Sequence, residues 1–185
     1  MAPDCENALY WLKKAAALGH ALSLDWLSDI HGCKDDADYW GVSVDMGLSV
    51  KYMEDAANAS GWDGWCGPVG SKPTKSVTPH TCQFALYKAY STGYLHDVAG
   101  AVKENREKAL SYLKMAAEGG HGEAKFRLFE YLSSQGDQKE ARVWLERAAN
   151  PEWVSREKLN PSGEREKLSD FKEFELEASK LLSQE

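Results

Sequence analysis

A short pattern that recurs four times constrains the fold of this 185-residue chain more than any other feature. Each copy has a small residue, an aromatic residue three positions later, Leu or Met directly after it, and a final Ala-Ala pair. The copies are Ala8–Ala16 (ALYWLKKAA), Ser49–Ala57 (SVKYMEDAA), Ala109–Ala117 (ALSYLKMAA) and Ala141–Ala149 (ARVWLERAA). One such unit cannot bury its apolar face alone, so the copies are expected to stack.

The spacing inside each copy predicts an α-helix with one packed face, because positions i, i+3, i+4 and i+7 lie on the same side of a helix. Small residues on that face let a neighbouring helix approach, and the aromatic ring fills the remaining gap. We therefore expect all four aromatic side chains to be packed: Trp11, Tyr52, Tyr112 and Trp144. Two copies end in a Gly-His pair, Gly19-His20 and Gly120-His121, where glycine supplies a left-handed helix cap and each histidine is expected to be structural.

Each of these helices needs a neighbour, and amphipathic segments lie between the copies. They are Ala21–Gly32, Gln83–Gly93 and Gly122–Gly136, and each ends in glycine. The order of helix, short turn, helix and loop predicts an all-α fold, an α-solenoid of stacked helix pairs.

The stretches Lys108–Ala124 (KALSYLKMAAEGGHGEA) and Ala8–Ala21 (ALYWLKKAAALGHA) resemble the second helix of the Sel-one-like repeat family, a relative of the tetratricopeptide repeats. The resemblance covers about residues 7–150 and implies about four tetratricopeptide-like helix pairs in a curved scaffold that recruits proteins. Members of the family are adaptors in protein degradation, cell-envelope assembly scaffolds and immunity proteins against secreted toxins. A few bacterial members have been linked to penicillin binding.

The sequence predicts one helical repeat domain over residues 1–150, with an irregular insertion at about 61–82. Residues 151–185 are expected to form a C-terminal capping helix of the same domain, beginning near Pro161 and running to about Ser183. A solenoid needs a terminal helix with a polar outer face, and the charged side of this tail fits that role. A partner-binding helix is the alternative.

Two segments depart from the repeat and carry the predicted partner-binding residues. The acidic stretch Cys33–Gly47 is expected to be a loop, and the insertion Gly61–Cys82 has no helical period. Insertions in repeat proteins project from one face and often form the binding surface. The predicted partner-binding residues are Tyr39, Trp40, Trp62, Asp63 and Trp65. Alternatively, Trp62 and Trp65 fold back to cover the adjacent helices.

Charge is concentrated in the first third of the chain. Residues 1–63 hold eleven acidic and four basic residues, a net charge of −7, which equals that of the whole chain. Such a surface attracts a basic protein and repels phosphates, so the expected partner is another protein with a basic surface and not nucleic acid. Alternatively, the aspartate-rich loops are simply solvated. No apolar run is long enough to span a membrane, and the chain is expected to be a monomer by itself.

Four cysteines, Cys5, Cys33, Cys66 and Cys82, suggest two disulfides. Cys5 and Cys33 are expected at the same end of a helical hairpin, and Cys66 and Cys82 bracket the insertion. Disulfides favour a periplasmic or otherwise extracytoplasmic location. Four buried thiols in a cytoplasmic protein are the alternative, and a zinc site at Cys66, His80 and Cys82 would lack a fourth ligand.

No motif for catalysis, a cofactor or a metal is present, because the sequence has no phosphate-binding glycine loop, two-histidine metal motif or nucleophile elbow. The chain is therefore predicted to be a non-catalytic protein-interaction module. Within that class we favour a bacterial immunity protein that neutralises a secreted toxin or effector. The alternatives are an envelope or degradation adaptor, and a cysteine-rich hydrolase or penicillin-binding protein.

Overall fold

The computed structural model of the chain describes residues 3–59, 79–149 and 172–183. Within these ranges the chain forms nine α-helices and one short β-hairpin. The helices are α1 (Pro3–Ala17), α2 (Ala21–Gly32), α3 (Lys34–Trp40), α4 (Met46–Ala57), α5 (Pro79–Thr92), α6 (Arg106–Glu118), α7 (Gly122–Gln135), α8 (Gln138–Ala149) and α9 (Lys172–Leu182). Strands β1 (Tyr94–Leu95) and β2 (Val98–Ala99) pair antiparallel between α5 and α6. The architecture is the predicted all-α helical repeat solenoid.

The chain divides into two compact units, Met1–Tyr112 and Leu113–Glu185, with the boundary inside α6. No helix in the described ranges has the length and apolar character that a membrane crossing requires.

In the first unit, α2 lies at the centre and packs against α1, α3 and α4, and α4 in turn packs against α5. The buried side chains Leu24, Leu27 and Ile30 of α2 form much of this core. The bounds of α2 are the ones that its sequence pattern predicts. This helix is central because its apolar residues recur around most of its circumference.

The two Gly-His pairs form matching junctions between helices. Gly19 and Gly120 have φ angles of +82° and +101°, which confirms the predicted left-handed caps. Nδ1 of His20 accepts a hydrogen bond of 3.2 Å from the Ser23 amide at the start of α2. Nδ1 of His121 accepts one of the same length from the amide of Ala124 in α7. Each pair thus ends one helix and caps the next, which is the structural role expected for the histidines.

A polar cluster joins α4, α5 and α6 within the first unit. Oε1 of Glu54 accepts hydrogen bonds of 2.6 Å from both the Tyr90 hydroxyl and the Lys108 ammonium. Lys108 also donates to the Tyr90 hydroxyl at 2.7 Å, and the Tyr90 ring stacks on Tyr112 at 5.9 Å. Burial raises the pKa of Glu54, but the hydrogen bonds from Lys108 and Tyr90 outweigh it and hold that pKa below its usual value.

The second unit contains α7, α8 and α9, and α9 packs against both of the other helices. Its core includes Phe126 of α7, Leu145 and Ala148 of α8, and Ala178 of α9. Leu181 and Leu182 of α9 pack on the same cluster. The tail predicted to be helical up to about Ser183 is described from Lys172 onward, and its capping role stays a prediction.

The repeat positions of the four aromatic residues do not share one environment. Tyr112 and Trp144 are 8% and 6% exposed, and Tyr52 is half-buried and stacks on His31. Trp11 is 64% exposed, so the expectation that all four rings are packed was wrong for α1. The opposite side of α1, with Leu9 and Ala16, is buried, and α1 packs against α2 and α3. Helix α1 is therefore covered on one side only.

Three local features differ from the sequence expectations. Part of the segment predicted as an acidic loop forms helix α3, whose end is capped by Gly41 with a φ of +66°. Helix α5 begins at Pro79, so Cys82 lies within a helix and not at the edge of the insertion. The turn between β1 and β2 consists of His96 and Asp97, which have φ angles of +49° and +61°. Left-handed backbone at both central residues is typical of a tight two-residue hairpin turn.

Candidate functional site

The predicted residues Tyr39 and Trp40 are the last two residues of α3, the short helix that follows α2. Gly32 closes α2, and its lack of a side chain is required by the packing there. A Cβ atom at this position would collide with the His96 ring and lie 2.6 Å from Oγ of Ser49. The absence of a side chain thus lets the hairpin turn approach the helices closely.

A hydrogen-bond network fixes the hairpin turn on this surface. Nε2 of His96 lies 3.0 Å from Oγ of Ser28, and Nδ1 of His96 lies 3.3 Å from Oδ1 of Asp29. The Ser49 hydroxyl donates to the carbonyl oxygen of Ser28 at 2.9 Å. The turn is therefore anchored to α2, and the same Ser28 connects α2 to α4, through polar groups that are mostly buried.

The order of hydroxyl, imidazole and carboxylate in this network is the order found in serine hydrolases. Ser28 is 0% exposed, so a substrate carbonyl has no path to its hydroxyl in this structure. The network thus has the connectivity of a catalytic triad without an accessible nucleophile, and its geometry explains how the hairpin is held.

Four carboxylates act electrostatically on Cys33, the residue that follows Gly32. Burial first, and then the charges of Asp29, Asp36, Asp97 and Asp35, raise the pKa of the Cys33 thiol. These acids come from α2, α3 and the hairpin turn, so the fold brings together charges that are far apart in sequence. We call Asp29, Asp35, Asp36 and Asp97 the acidic corner. Sequence reasoning assigned no site role to Asp29 and Asp97, because nothing in the sequence placed the hairpin beside α3.

Helix α3, which contributes two of these acids, also carries two aromatic side chains. Tyr39 is 69% exposed, and Trp40 beside it is half-buried. Their rings meet edge to face at 5.8 Å. An exposed aromatic ring beside several carboxylates provides apolar contact and negative charge together, a combination suited to Lys- or Arg-rich protein surface.

The other predicted partner-binding residues, Trp62, Asp63 and Trp65, lie outside the described residues, as does Cys66. Their roles stay predictions. Cys5 and Cys33 are half-buried thiols, and the structure has no disulfide between them. The buried thiol of Cys82 lies 3.7 Å from Oδ1 of Asp25. In the described part of the chain no group of three or more His, Cys, Asp or Glu side chains has an arrangement that could hold a metal ion.

These features define a helical repeat protein whose most distinctive described surface is acidic and aromatic. A family model described as Sel1 repeat matches residues 1–20, 37–60, 89–121 and 122–150, which together make up more than half of the chain. The chain belongs to the Sel1 repeat family, and the resemblance noted from the sequence is confirmed. The insertion at about 61–82 and the tail after residue 150 lie outside the matched ranges. No curated protein matches the chain.

Sel1 repeats mediate protein–protein interaction, and the family is generally a non-catalytic interaction scaffold. The chain is therefore a protein-binding module.

Proposed function

We propose that this chain is a bacterial immunity protein that binds and neutralises a secreted toxin or effector with a basic surface. The observation that carries the proposal is that four carboxylates act on Cys33 and that two of them lie on α3, the helix that presents the exposed ring of Tyr39. An inhibitor of this kind acts by covering a basic active-site cleft, and complementary charge gives it a fast association rate and selectivity.

The rigidity of the acidic corner supports this role. The hairpin turn that contributes Asp97 is held by the contacts of His96 with Ser28 and Asp29. A surface that is already ordered loses little conformational entropy when its partner binds, so more of the interaction energy appears as affinity. In the same proposal, Trp62 and Trp65 of the insertion supply additional aromatic contacts.

The proposal includes a monomeric, non-catalytic inhibitor in the periplasm or another extracytoplasmic compartment. There, Cys5 and Cys33 would form the disulfide expected from their places at the start of α1 and the end of α2. Mass spectrometry without prior reduction tests this part on protein made under oxidising conditions. A cross-linked peptide pair containing both residues is expected, and two unmodified thiols would remove this support for export.

The main experiment is affinity capture from envelope and cytosolic fractions of the source cells, followed by a toxicity or activity assay of the captured protein. We expect one dominant basic partner, whose activity the chain abolishes near equimolar ratio. The test variant is Asp35→Asn/Asp36→Asn, which changes the net charge from −7 to −5. It should weaken binding at low salt, and the wild-type interaction should weaken as ionic strength rises.

A matched control, Glu118→Gln/Glu140→Gln, removes the same charge from exposed positions far along the sequence. It should leave affinity almost unchanged. An equal loss of affinity in both variants would show that overall charge causes the effect, and it would contradict a binding site at the acidic corner. Many weak partners, none of them inhibited, would instead identify an adaptor.

A further inference from the structure

Helix α2 is almost wholly buried, and the part of it that stays accessible forms a single line. Nine of its twelve residues are buried, and the three that are not are Leu22, Trp26 and Asp29. Their spacing of four and three residues places them on one side of the helix. We call these three residues the α2 stripe. Asp29 also belongs to the acidic corner, so the stripe leads into that surface.

Trp26 and Asp29 are neighbours on this stripe. Residues three apart on a helix have their Cβ atoms about 5–6 Å from each other, and helical side chains lean toward the N-terminus, so Asp29 leans toward Trp26. Trp26 is 49% exposed. The Asp29 side chain is 35% exposed, although its Oδ1 atom lies 3.3 Å from Nδ1 of His96. An accessible indole ring and a carboxylate that His96 holds in place therefore lie side by side.

Other aromatic rings of this chain show which group occupies such a position. In three helices a basic side chain lies over the aromatic ring three or four residues before it, at 4.7–5.5 Å from the ring centroid: Lys14 over Tyr10 in α1, Lys88 over Phe84 in α5, and Arg147 over Trp144 in α8. Helix α2 contains neither lysine nor arginine, and the residue three positions after Trp26 is Asp29. This helix thus cannot supply a cation to the Trp26 ring, whereas the carboxylate beside the ring attracts one.

A guanidinium group suits this combination better than an ammonium group. It is planar and weakly hydrated, so it can stack on the face of an indole ring while its N–H groups donate to a carboxylate. The negative charge of Asp29 therefore selects a cation, and the ring of Trp26 selects arginine over lysine. The other carboxylates of the acidic corner attract further basic residues of the same segment.

We propose that the α2 stripe binds an arginine side chain of the basic partner, which stacks on Trp26 and donates hydrogen bonds to Asp29. This inference rests on the proposed function and adds Trp26 to its site as a residue that determines specificity. Trp26 lies outside both segments in which the sequence predicted partner-binding residues. Because arginine and lysine carry the same charge, the acidic corner alone attracts both, and Trp26 distinguishes between them.

Two labelled peptides of equal charge, hexaarginine and hexalysine, test the proposal on the full chain. Fluorescence anisotropy measures the affinity of each at physiological ionic strength. We expect the wild type to bind hexaarginine more tightly than hexalysine. Trp26→Ala should weaken hexaarginine binding by about two- to fivefold, the range expected for an exposed cation–π contact, and should remove most of the preference. Trp26→Tyr, which keeps an aromatic ring at this position, should retain most of the affinity and of the preference.

Trp11→Ala is the matched control, because Trp11 is 64% exposed in the same unit and the residue three positions after it is Lys14, not an acid. It should leave the affinity for both peptides unchanged. Thermal unfolding checks that each variant is folded at the assay temperature. If Trp26→Ala is unfolded there, Trp26→Leu replaces it, since leucine keeps apolar volume without a ring, and the same loss is expected.

Equal affinities of the wild type for the two peptides, or equal effects of the Trp26 and Trp11 variants, would overturn the proposal. The outcome that separates it from the proposed function involves Asp35→Asn/Asp36→Asn. If that variant weakened the binding of both peptides while Trp26→Ala weakened neither, the acidic corner would still attract basic segments, and only the arginine contact at Trp26 would be refuted.

Discussion

Replacing Gly32 with alanine tests the close approach of the hairpin turn to α2 in one step. In an unobstructed helix this change stabilises a protein by up to about 1 kcal/mol, because glycine loses more backbone entropy on folding. At Gly32 the added Cβ collides with the His96 ring and lies 2.6 Å from Oγ of Ser49. Overpacking of this kind costs about 1–3 kcal/mol, so we expect a net loss of about 1 kcal/mol.

The chain provides a matched control at Gly47, in the first turn of α4. A Cβ there would meet only Oδ1 of Asp45, at 3.4 Å. Gly47→Ala should therefore stabilise the protein, so the same substitution should change the free energy of unfolding in opposite directions at the two positions. Urea unfolding followed by circular dichroism measures both changes, and for a chain of this size 1 kcal/mol shifts the melting temperature by about 2–4 °C.

The collision also predicts coupling between Gly32 and His96. His96→Ala removes the obstructing ring, so Gly32→Ala should cost less in that background, by at least about 0.5 kcal/mol. Strict additivity of the two substitutions, or stabilisation by Gly32→Ala equal to that by Gly47→Ala, would refute the reasoning. In either case the turn would not be held against the end of α2 as described.

Two further predictions concern the helix array. Trp144→Ala should lower the free energy of unfolding by about 3–5 kcal/mol in urea titrations, whereas Trp11→Ala should lower it by less than about 1 kcal/mol, because only Trp144 is buried. Similar losses would contradict the exposure of Trp11. Glu54→Gln should lower the free energy of unfolding by only about 1 kcal/mol at pH 7, because its partner Lys108 is partly exposed and solvent weakens the ion pair. The pKa of Glu54 is lowered in the folded protein, so the extra stability of the wild type over Glu54→Gln should be lost as pH falls below about 4.5. A stability difference that grows on acidification would refute the lowered pKa of Glu54.

The repeat determined most of the fold that the sequence could predict. The pattern of α2 predicted its bounds because apolar residues and a terminal glycine mark both its extent and its end. Helix α3 was expected to be loop because it has seven residues and three are aspartates, which have low helix propensity. The hairpin was not predicted either, because its turn is His96-Asp97 and lacks the glycine-containing pairs that are typical of two-residue hairpin turns.

The candidate site could be predicted only in part. Tyr39 and Trp40 could be predicted as site residues because they are aromatic residues in an acidic segment. The structure places them on α3, which also carries two residues of the acidic corner. Asp97 lies about sixty positions further along the chain, and only tertiary packing brings its charge to Cys33. The exposure of Trp11 could not be predicted either, because the sequence around it has the same pattern as the copies whose aromatic rings are buried or half-buried. Local pattern identifies a helix face, whereas neighbouring helices determine whether that face is covered.

The contacts that join α4 to α5 have a consequence for how this scaffold can change during evolution. Glu54 of α4 binds Tyr90 of α5, and the Gln83 side chain donates to the carbonyl oxygen of Ala57 at 2.7 Å. These bonds connect the helices on either side of residues 60–78 without using any residue between them. Lengthening a loop adds little closure entropy, about 0.6 kcal/mol for each doubling. New sequences between Ala59 and Pro79 can therefore be sampled at small cost to folding, while the framework of α4 and α5 is inherited unchanged.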